Sequence, residues 1–148
     1  GLNDGSAALL LANESGLSSS GLTPLAQIIS SAVVGVEPRI MGIGPVRASE
    51  IALKRAGITF DDLDVIELNE AFSAQALACM RAWGLDDDDS RINPNGGGIS
   101  IGHPLGVTGS RILLAAARQL ERTGGKYGLV TLCIGVGQGY AVVIKNTQ

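Results

Sequence analysis

Residues Thr108–Lys145 read TGSRILLAAARQLERTGGKYGLVTLCIGVGQGYAVVIK, and their periodicity changes partway along. Ile112, Leu113, Ala116 and Leu120 recur at spacings of three and four, which predicts a helix over Thr108–Arg122 with that face inward. Gly124-Gly125 stops it. Lys126–Leu132 (KYGLVTL) and Tyr140–Lys145 (YAVVIK) are short β-branched and aromatic runs, predicted as strands on either side of a glycine-rich turn, Cys133–Gly139 (CIGVGQG). A helix feeding a strand pair needs further strands to bury its apolar face against.

The upstream sequence supplies them. Val65–Leu68 (VIEL) reads as a short strand, Leu25–Val34 as another, and the apolar run Ser6–Ala12 as a third, buried on both faces. Gly16–Thr23 (GLSSSGLT) is a loop or weak helix. Pro45, Val46, Ser49, Leu53 and Ala56, with Gly57 behind them, predict a helix with proline in its first turn and glycine at its C-cap. Thr59 caps a turn or short helix to Asp64. Ala71–Trp83 carries one charge, Arg81, and is expected to be a helix buried nearly all round. The sum is a single α/β domain over residues 1–148, a mixed five-stranded sheet with helices packed on both faces.

Composition narrows the function classes. Of 148 residues, 45% are hydrophobic and 3% aromatic, so the core is built of Ala, Leu, Ile and Val. Eleven basic against 14 acidic residues, unclustered, give no electrostatic footprint for nucleic acid or an anionic membrane. No run is long enough to cross a bilayer, and a soluble, cytoplasmic protein with reduced thiols is expected. Two cysteines and one histidine leave metal ligation poorly supplied, so no metal is expected. Asp86–Asp89 is read as a solvated loop, since consecutive side chains diverge and cannot gather one calcium ion. Gly135-x-Gly137-x-Gly139 has the wrong spacing for a dinucleotide fingerprint and leads into a strand, and no Gly-Lys-Ser/Thr loop exists, so no cofactor is expected. The chain opens without Met on GLNDG, close to an apolar run, which reads as one part of something larger.

Three places put reactive groups at strand ends or beside glycines, where α/β proteins build sites. His103, in Gly102–Gly106 (GHPLG), alone has an ordinary pKa near neutrality; ahead of a helix N-terminus it is a candidate neutral donor to an oxyanion, or else a loop-packing residue. Cys133 ends a strand before three glycines, whose N–H groups could approach a ligand; it is an acid, base or nucleophile, or a small apolar filler. Asn69, at the end of VIEL, orients a water or carbonyl or caps the helix after it. Cys79, among Leu77, Met80 and Trp83, belongs to the core.

The motifs NEAF (Asn69–Phe72), NPNGGGISIGHPLGVTGSR (Asn93–Arg111) and CIGVGQG occur in order, and with MGIGP (Met41–Pro45) and GLNDG this chain resembles the C-terminal domain of the thiolases over its whole length. The resemblance implies one half of a five-layer αβαβα fold and acyl transfer between a 3-oxoacyl-CoA and CoA, with CoA and acyl-CoA as substrates. His103 matches the histidine that deprotonates a nucleophilic cysteine and helps form an oxyanion hole. Cys133 matches the cysteine that exchanges the α-proton, Asn69 the asparagine that holds a water in that hole, and the Gly135 N–H a donor to a second hole. Phe72 and Met41 match positions lining the acyl and pantetheine tunnel. Val136, the NPNGG opening and MGIGPV look most like β-ketoadipyl-CoA thiolases.

The family's nucleophilic cysteine and most of its CoA-nucleotide contacts belong to an N-terminal domain that this sequence does not contain. The resemblance therefore implies an N-terminal thiolase domain as partner, a homodimer or homotetramer in the complete enzyme, and an inactive chain on its own. A β-ketoacyl synthase would carry a second histidine where Cys133 stands. A non-catalytic remnant or assembly module is the other alternative.

Overall fold

The computed structural model describes residues 3–148. Its centre is a four-stranded mixed sheet in the order β1-β4-β3-β2. Strand β1 spans Ala26–Gly35, β2 Val65–Leu68, β3 Tyr127–Ile134 and β4 Gln138–Asn146. β3 and β4 form an antiparallel hairpin, β1 pairs antiparallel with β4 across a bulge between Ile28 and Ser30, and β2 lies parallel to β3.

Alternation along the strands divides the core in two. Ile66, Leu129, Ala141, Val143 and Ala32 point toward helix α2 (Gly44–Ala56) and meet Ala48, Ala52 and Leu53. Val65, Val130, Val142 and Ile144 point the other way, toward Ile112, Ala116, Ala117 and Leu120 of helix α5 (Leu105–Thr123). Helices therefore cover both faces, as expected. Helix α5 begins three residues ahead of the predicted Thr108, and Leu113 on its expected inner face is only half-buried.

The expected five strands are four. Ser6–Ala12 forms no strand; Leu10 and Leu11 are largely exposed and the run has no regular structure. A strand requires an edge whose N–H and C=O groups it can pair. The free side of β2 is taken in part by a bridge from Ile92 and by Asn93, and the segment from Asn3 crosses the loop before α5, with Gly5 close against Pro104. Of the segment Gly16–Thr23, Gly16–Ser20 falls in helix α1 (Glu14–Ser20), which is capped by Asn13 and by Gly21 and buries no residue.

The expectation for Ala71–Trp83 needs a similar correction. Helix α3 spans Ser73–Ala82 and buries only Gln75, Ala76, Cys79 and Met80, against Leu68. Its outward positions, Ser73, Ala74, Ala78 and Ala82, are exposed; small side chains read as apolar without requiring cover. Cys79 is fully buried, as expected. A four-residue turn of helix, α4 (Gly98–Ile101), precedes the histidine loop.

Candidate functional site

Parallel pairing of β2 with β3 brings the C-terminal ends of both strands to one edge, where each predicted polar group sits. Leu68 pairs with Thr131, and the Asn69 N–H donates to the Thr131 carbonyl at 3.0 Å, so Asn69 lies beside the approach to Cys133. Asn93 fixes this end of β2 from outside. Its Oδ1 accepts from the Leu68 N–H at 2.9 Å and its Nδ2 donates to the Leu68 carbonyl at 2.8 Å, so an amide side chain stands in for a strand partner.

The loop before α5 delivers His103 onto Asn69. Asn69 Nδ2 lies 3.3 Å from His103 Nε2, and His103 Nδ1 lies 2.7 Å from Thr108 Oγ1. Thr108 has one hydroxyl proton and donates it to the Pro104 carbonyl at 3.0 Å, so it accepts from Nδ1–H. An amide nitrogen faces Nε2, which therefore carries a lone pair. Both neighbours select the same tautomer, with Nε2 as the free basic nitrogen. Arg111 Nη1 holds the loop by donating to the Gly102 carbonyl at 2.8 Å, and the His103 N–H donates to Asn3 Oδ1 at 3.0 Å. Burial first, and the Arg111 charge second, keep the imidazole pKa below its ordinary value, so it is neutral at neutral pH.

Glu70 braces the preceding glycines. Its Oε2 accepts from the Ile99 N–H at 3.0 Å, and a Cβ on Gly97 would overlap that oxygen. His103, Glu70, Ala71, Gly98, Ile99 and Leu105 line an open cleft of about 390 Å³, with Asn3 at its rim. Glu67 is 2% exposed, and among the described residues its Oε1 meets no donor; Asn69 Oδ1, also buried, meets none among them. Burial pushes the Glu67 carboxyl up to about 7, with Arg111 opposing the rise and Glu70 adding to it.

Cys133 stands apart from this chain of contacts. Alternation along β3 puts it on the α2 side of the sheet with Leu129, while Asn69 falls on the α5 side with Val65. Among the described residues no hydrogen bond joins Cys133 to His103 or Asn69. Its thiol is pushed up by burial, and the hydrogen bond from its own backbone opposes that rise. Nor are all three glycines free to meet a ligand. A Cβ on Gly137 would overlap the Val36 carbonyl oxygen and one on Gly139 the Gly44 carbonyl oxygen, whereas Gly135 faces open space. Two of the three serve close backbone packing.

Met41 is half-buried in the 3-10 turn Pro38–Ile43, and that turn packs against α2, α3, β3 and β4. Phe72 is 64% exposed at the start of α3. Neither lines the cleft.

Comparison with known proteins accounts for this arrangement. Residues 22–146 match the family described as thiolase, C-terminal domain. The chain belongs to the thiolase C-terminal domain family. This thiolase domain is 55% identical over 146 residues to the 3-oxoadipyl-CoA/3-oxo-5,6-dehydrosuberyl-CoA thiolase of Escherichia coli K12, and 56% identical to the beta-ketoadipyl-CoA thiolase of Acinetobacter baylyi. Each alignment covers 99% of this chain and 36% of the relative, so the chain spans about a third of the length of these thiolases. Among solved structures, human mitochondrial 3-ketoacyl-CoA thiolase superposes with a TM-score of 0.89 at 49% identity, over 93% of this chain and 34% of that one. The same human enzyme in complex with CoA superposes at 0.87. No helix of this thiolase domain, among the described residues, is long and apolar enough to cross a membrane.

The sequence reading missed Thr108, Asn93, Glu70 and Glu67. Asn93 carried a signal in the Asn-Pro dipeptide, and Glu67 in an acid inside a four-residue apolar strand. Thr108 was visible only as a helix residue; its partnership with the imbalanced ring of His103 is tertiary.

Proposed function

We propose that this domain is the C-terminal catalytic half of a thiolase that transfers an acyl group between a 3-oxoacyl-CoA, 3-oxoadipyl-CoA among them, and CoA. The observation that carries the reading is the hydrogen-bonded series Asn69, His103 and Thr108, which leaves a neutral imidazole with its Nε2 lone pair beside an amide donor. His103 takes the proton of a nucleophilic cysteine supplied by an N-terminal thiolase domain. The thiolate adds to C3 of the substrate, the C2–C3 bond breaks, and its electrons pass to the acetyl-CoA enolate. Cys133 gives its proton to C2; CoA then takes the acyl group, its own thiol proton restoring Cys133, and His103 returns its proton to the nucleophilic cysteine as that thiolate leaves. A thioester enolate is costly in water, so the reaction requires donors at each developing oxyanion. His103 with a water held by Asn69 serves one, and the N–H of Gly135, a residue with open space where a side chain would stand, serves the other.

Phe72 and Met41 are proposed to line the acyl and pantetheine passage. Leu105, Val136, Phe72 and Ile99 are exposed apolar residues, which supports cover by the N-terminal domain and by a second copy in a homodimer or homotetramer. The domain as proposed spans residues 1–148, needs no cofactor beyond its CoA substrates, and works in the cytoplasm.

The test is α-proton exchange of acetyl-CoA in the complete enzyme. Cys133→Ala is expected to abolish exchange while the nucleophilic cysteine still becomes acylated, and His103→Ala to slow both half-reactions. Rapid exchange in Cys133→Ala would remove Cys133 from this role.

A further inference from the structure

Asn69 and His103 both have roles in the proposed reaction, whereas Glu67 beside them has none. Glu67 and Asn69 are two residues apart on β2 and its end, so both side chains leave the sheet on the α5 face, about 7 Å apart at Cα. Both are buried, Glu67 at 2% and Asn69 at 1% exposure, and each has an oxygen with no donor, Oε1 and Oδ1. Two neighbouring buried acceptors facing no donor are unstable as a pair. A single proton placed on Glu67 satisfies both, because the carboxylic acid then donates to Asn69 Oδ1 and leaves Nδ2 aimed at His103.

We propose that Glu67 is a positioning residue whose proton sets the orientation of the Asn69 amide and, through it, the tautomer of His103. This rests on the roles proposed above for Asn69 and His103. With Glu67 neutral, its O–H donates to Oδ1, Nδ2 donates to His103 Nε2, and Nδ1–H donates to Thr108. When Glu67 loses its proton to solvent, the carboxylate accepts from Nδ2 and the amide turns over. Oδ1 then faces Nε2, which must carry a proton; the Thr108 hydroxyl turns to donate to Nδ1. In that state Nε2 is no longer a base. Ionised Glu67 therefore switches off the basic form of the imidazole.

The charged and titratable groups facing Glu67 are Arg111 from α5, Glu70 just beyond β2, and His103 from the loop ahead of α5, relayed by Asn69. Arg111 spends one donor on the Gly102 carbonyl and makes no ion pair with Glu67 among the described residues. Burial outweighs its attraction, which supports a carboxyl that titrates near 7.

The experiment is an NMR pH titration of the complete protein, following the Glu67 carboxyl carbon, the Asn69 side-chain amide and both ring nitrogens of His103. The expected result is a carboxyl midpoint near 7, with the Asn69 amide and the His103 Nε2 signal moving in step. That step is absent in Glu67→Gln, while His103 keeps its own titration at lower pH. A Glu67 midpoint in the ordinary carboxylate range overturns the proposal, as does a raised midpoint during which Asn69 and His103 do not move. Persistence of the step in Glu67→Gln overturns it too, and the wild-type titration needs no variant to fold. These signals are independent of turnover. Loss of α-proton exchange in Cys133→Ala with no coupled titration sinks this inference alone, and the converse sinks only the functional reading.

Discussion

Asn93→Ala isolates the contact on which the whole strand edge depends. The substitution removes the acceptor for the Leu68 N–H and the donor to the Leu68 carbonyl, both on a residue 1% exposed. A buried backbone group left without its partner costs about 1–3 kcal/mol, so the two together cost about 4 kcal/mol. Asn93 also has a φ of 46°, which asparagine tolerates and alanine resists by about 1 kcal/mol. The expected loss is about 5 kcal/mol, a large fraction of the stability of a domain this size, and at about 2–4 °C per kcal/mol it lowers Tm by roughly 10–20 °C. Asn93→Gly removes the same bonds without the φ penalty and is expected to cost about 1 kcal/mol less. Asn95, two residues on, makes exposed side-chain bonds to Gln119 and Arg122, so Asn95→Ala is expected to stay within about 0.5 kcal/mol of wild type. Urea unfolding of the three variants, compared at equal m, measures these differences. An Asn93→Ala loss below about 1 kcal/mol, or one equal to that of Asn95→Ala, would refute the idea that a side chain is acting as β2's outer partner.

Thr108→Val keeps the shape of the site but removes the acceptor for His103 Nδ1–H, so ring-nitrogen NMR is expected to show the imidazole shifting toward the Nε2–H tautomer; an unchanged tautomer contradicts the assignment. Gly139→Ala is expected to destabilise by about 1–3 kcal/mol, because its Cβ overlaps the Gly44 carbonyl, whereas Gly106→Ala, in helix α5 with open space around it, is expected to stabilise by about 0.5–1 kcal/mol; equal melting temperatures contradict both. Glu67 has a folded-state pKa of about 7 against an ordinary 4.5, so the folded protein holds its proton more tightly than the unfolded chain. Its contribution to stability is therefore greatest below about pH 4.5 and falls by ~3 kcal/mol as pH rises through 7, relative to Glu67→Gln; parallel stability curves for the two proteins from pH 4 to 8 contradict it.

Periodicity sufficed for the elements that bury one face. Helix α2 was readable from Pro45 to its αL cap at Gly57, β2 matched at both ends, and Thr59 does form the capping box with Asp62. The run Ser6–Ala12 failed for a reason sequence does not carry: a strand is completed by a free sheet edge, and hydrophobicity does not reveal whether one remains. Helix α3 failed because alanine at an outward position reads as apolar and needs no cover. At the site, the polar residues at strand ends were visible one by one. What was not visible is that Asn69 and His103 touch while Cys133 lies across the sheet, since that follows from which face each strand residue leaves by and from a loop anchored by Arg111. Asp87 and Asp89 of the acidic run likewise have local partners, Arg81 and Arg91, that spacing alone did not assign.

The protonation states of His103 and Cys133 are complementary. His103 is held neutral by burial and by Arg111, so it is ready to accept a proton; Cys133 is held as a thiol by burial, so it is ready to give one. For the reaction proposed above, that pairing suits cleavage of a 3-oxoacyl thioester without prior adjustment, because the proposed first step asks for a base and the second for an acid. In the opposite sense Cys133 must first become a thiolate, and its own backbone offers a single weak inducement. The remaining stabilisation of that thiolate has to come from groups outside this chain or from the bound thioester itself. Under the proposed function, a Cys133 whose pKa falls only when substrate and N-terminal domain are both in place is therefore the form in which one thiol can serve both directions of the reaction.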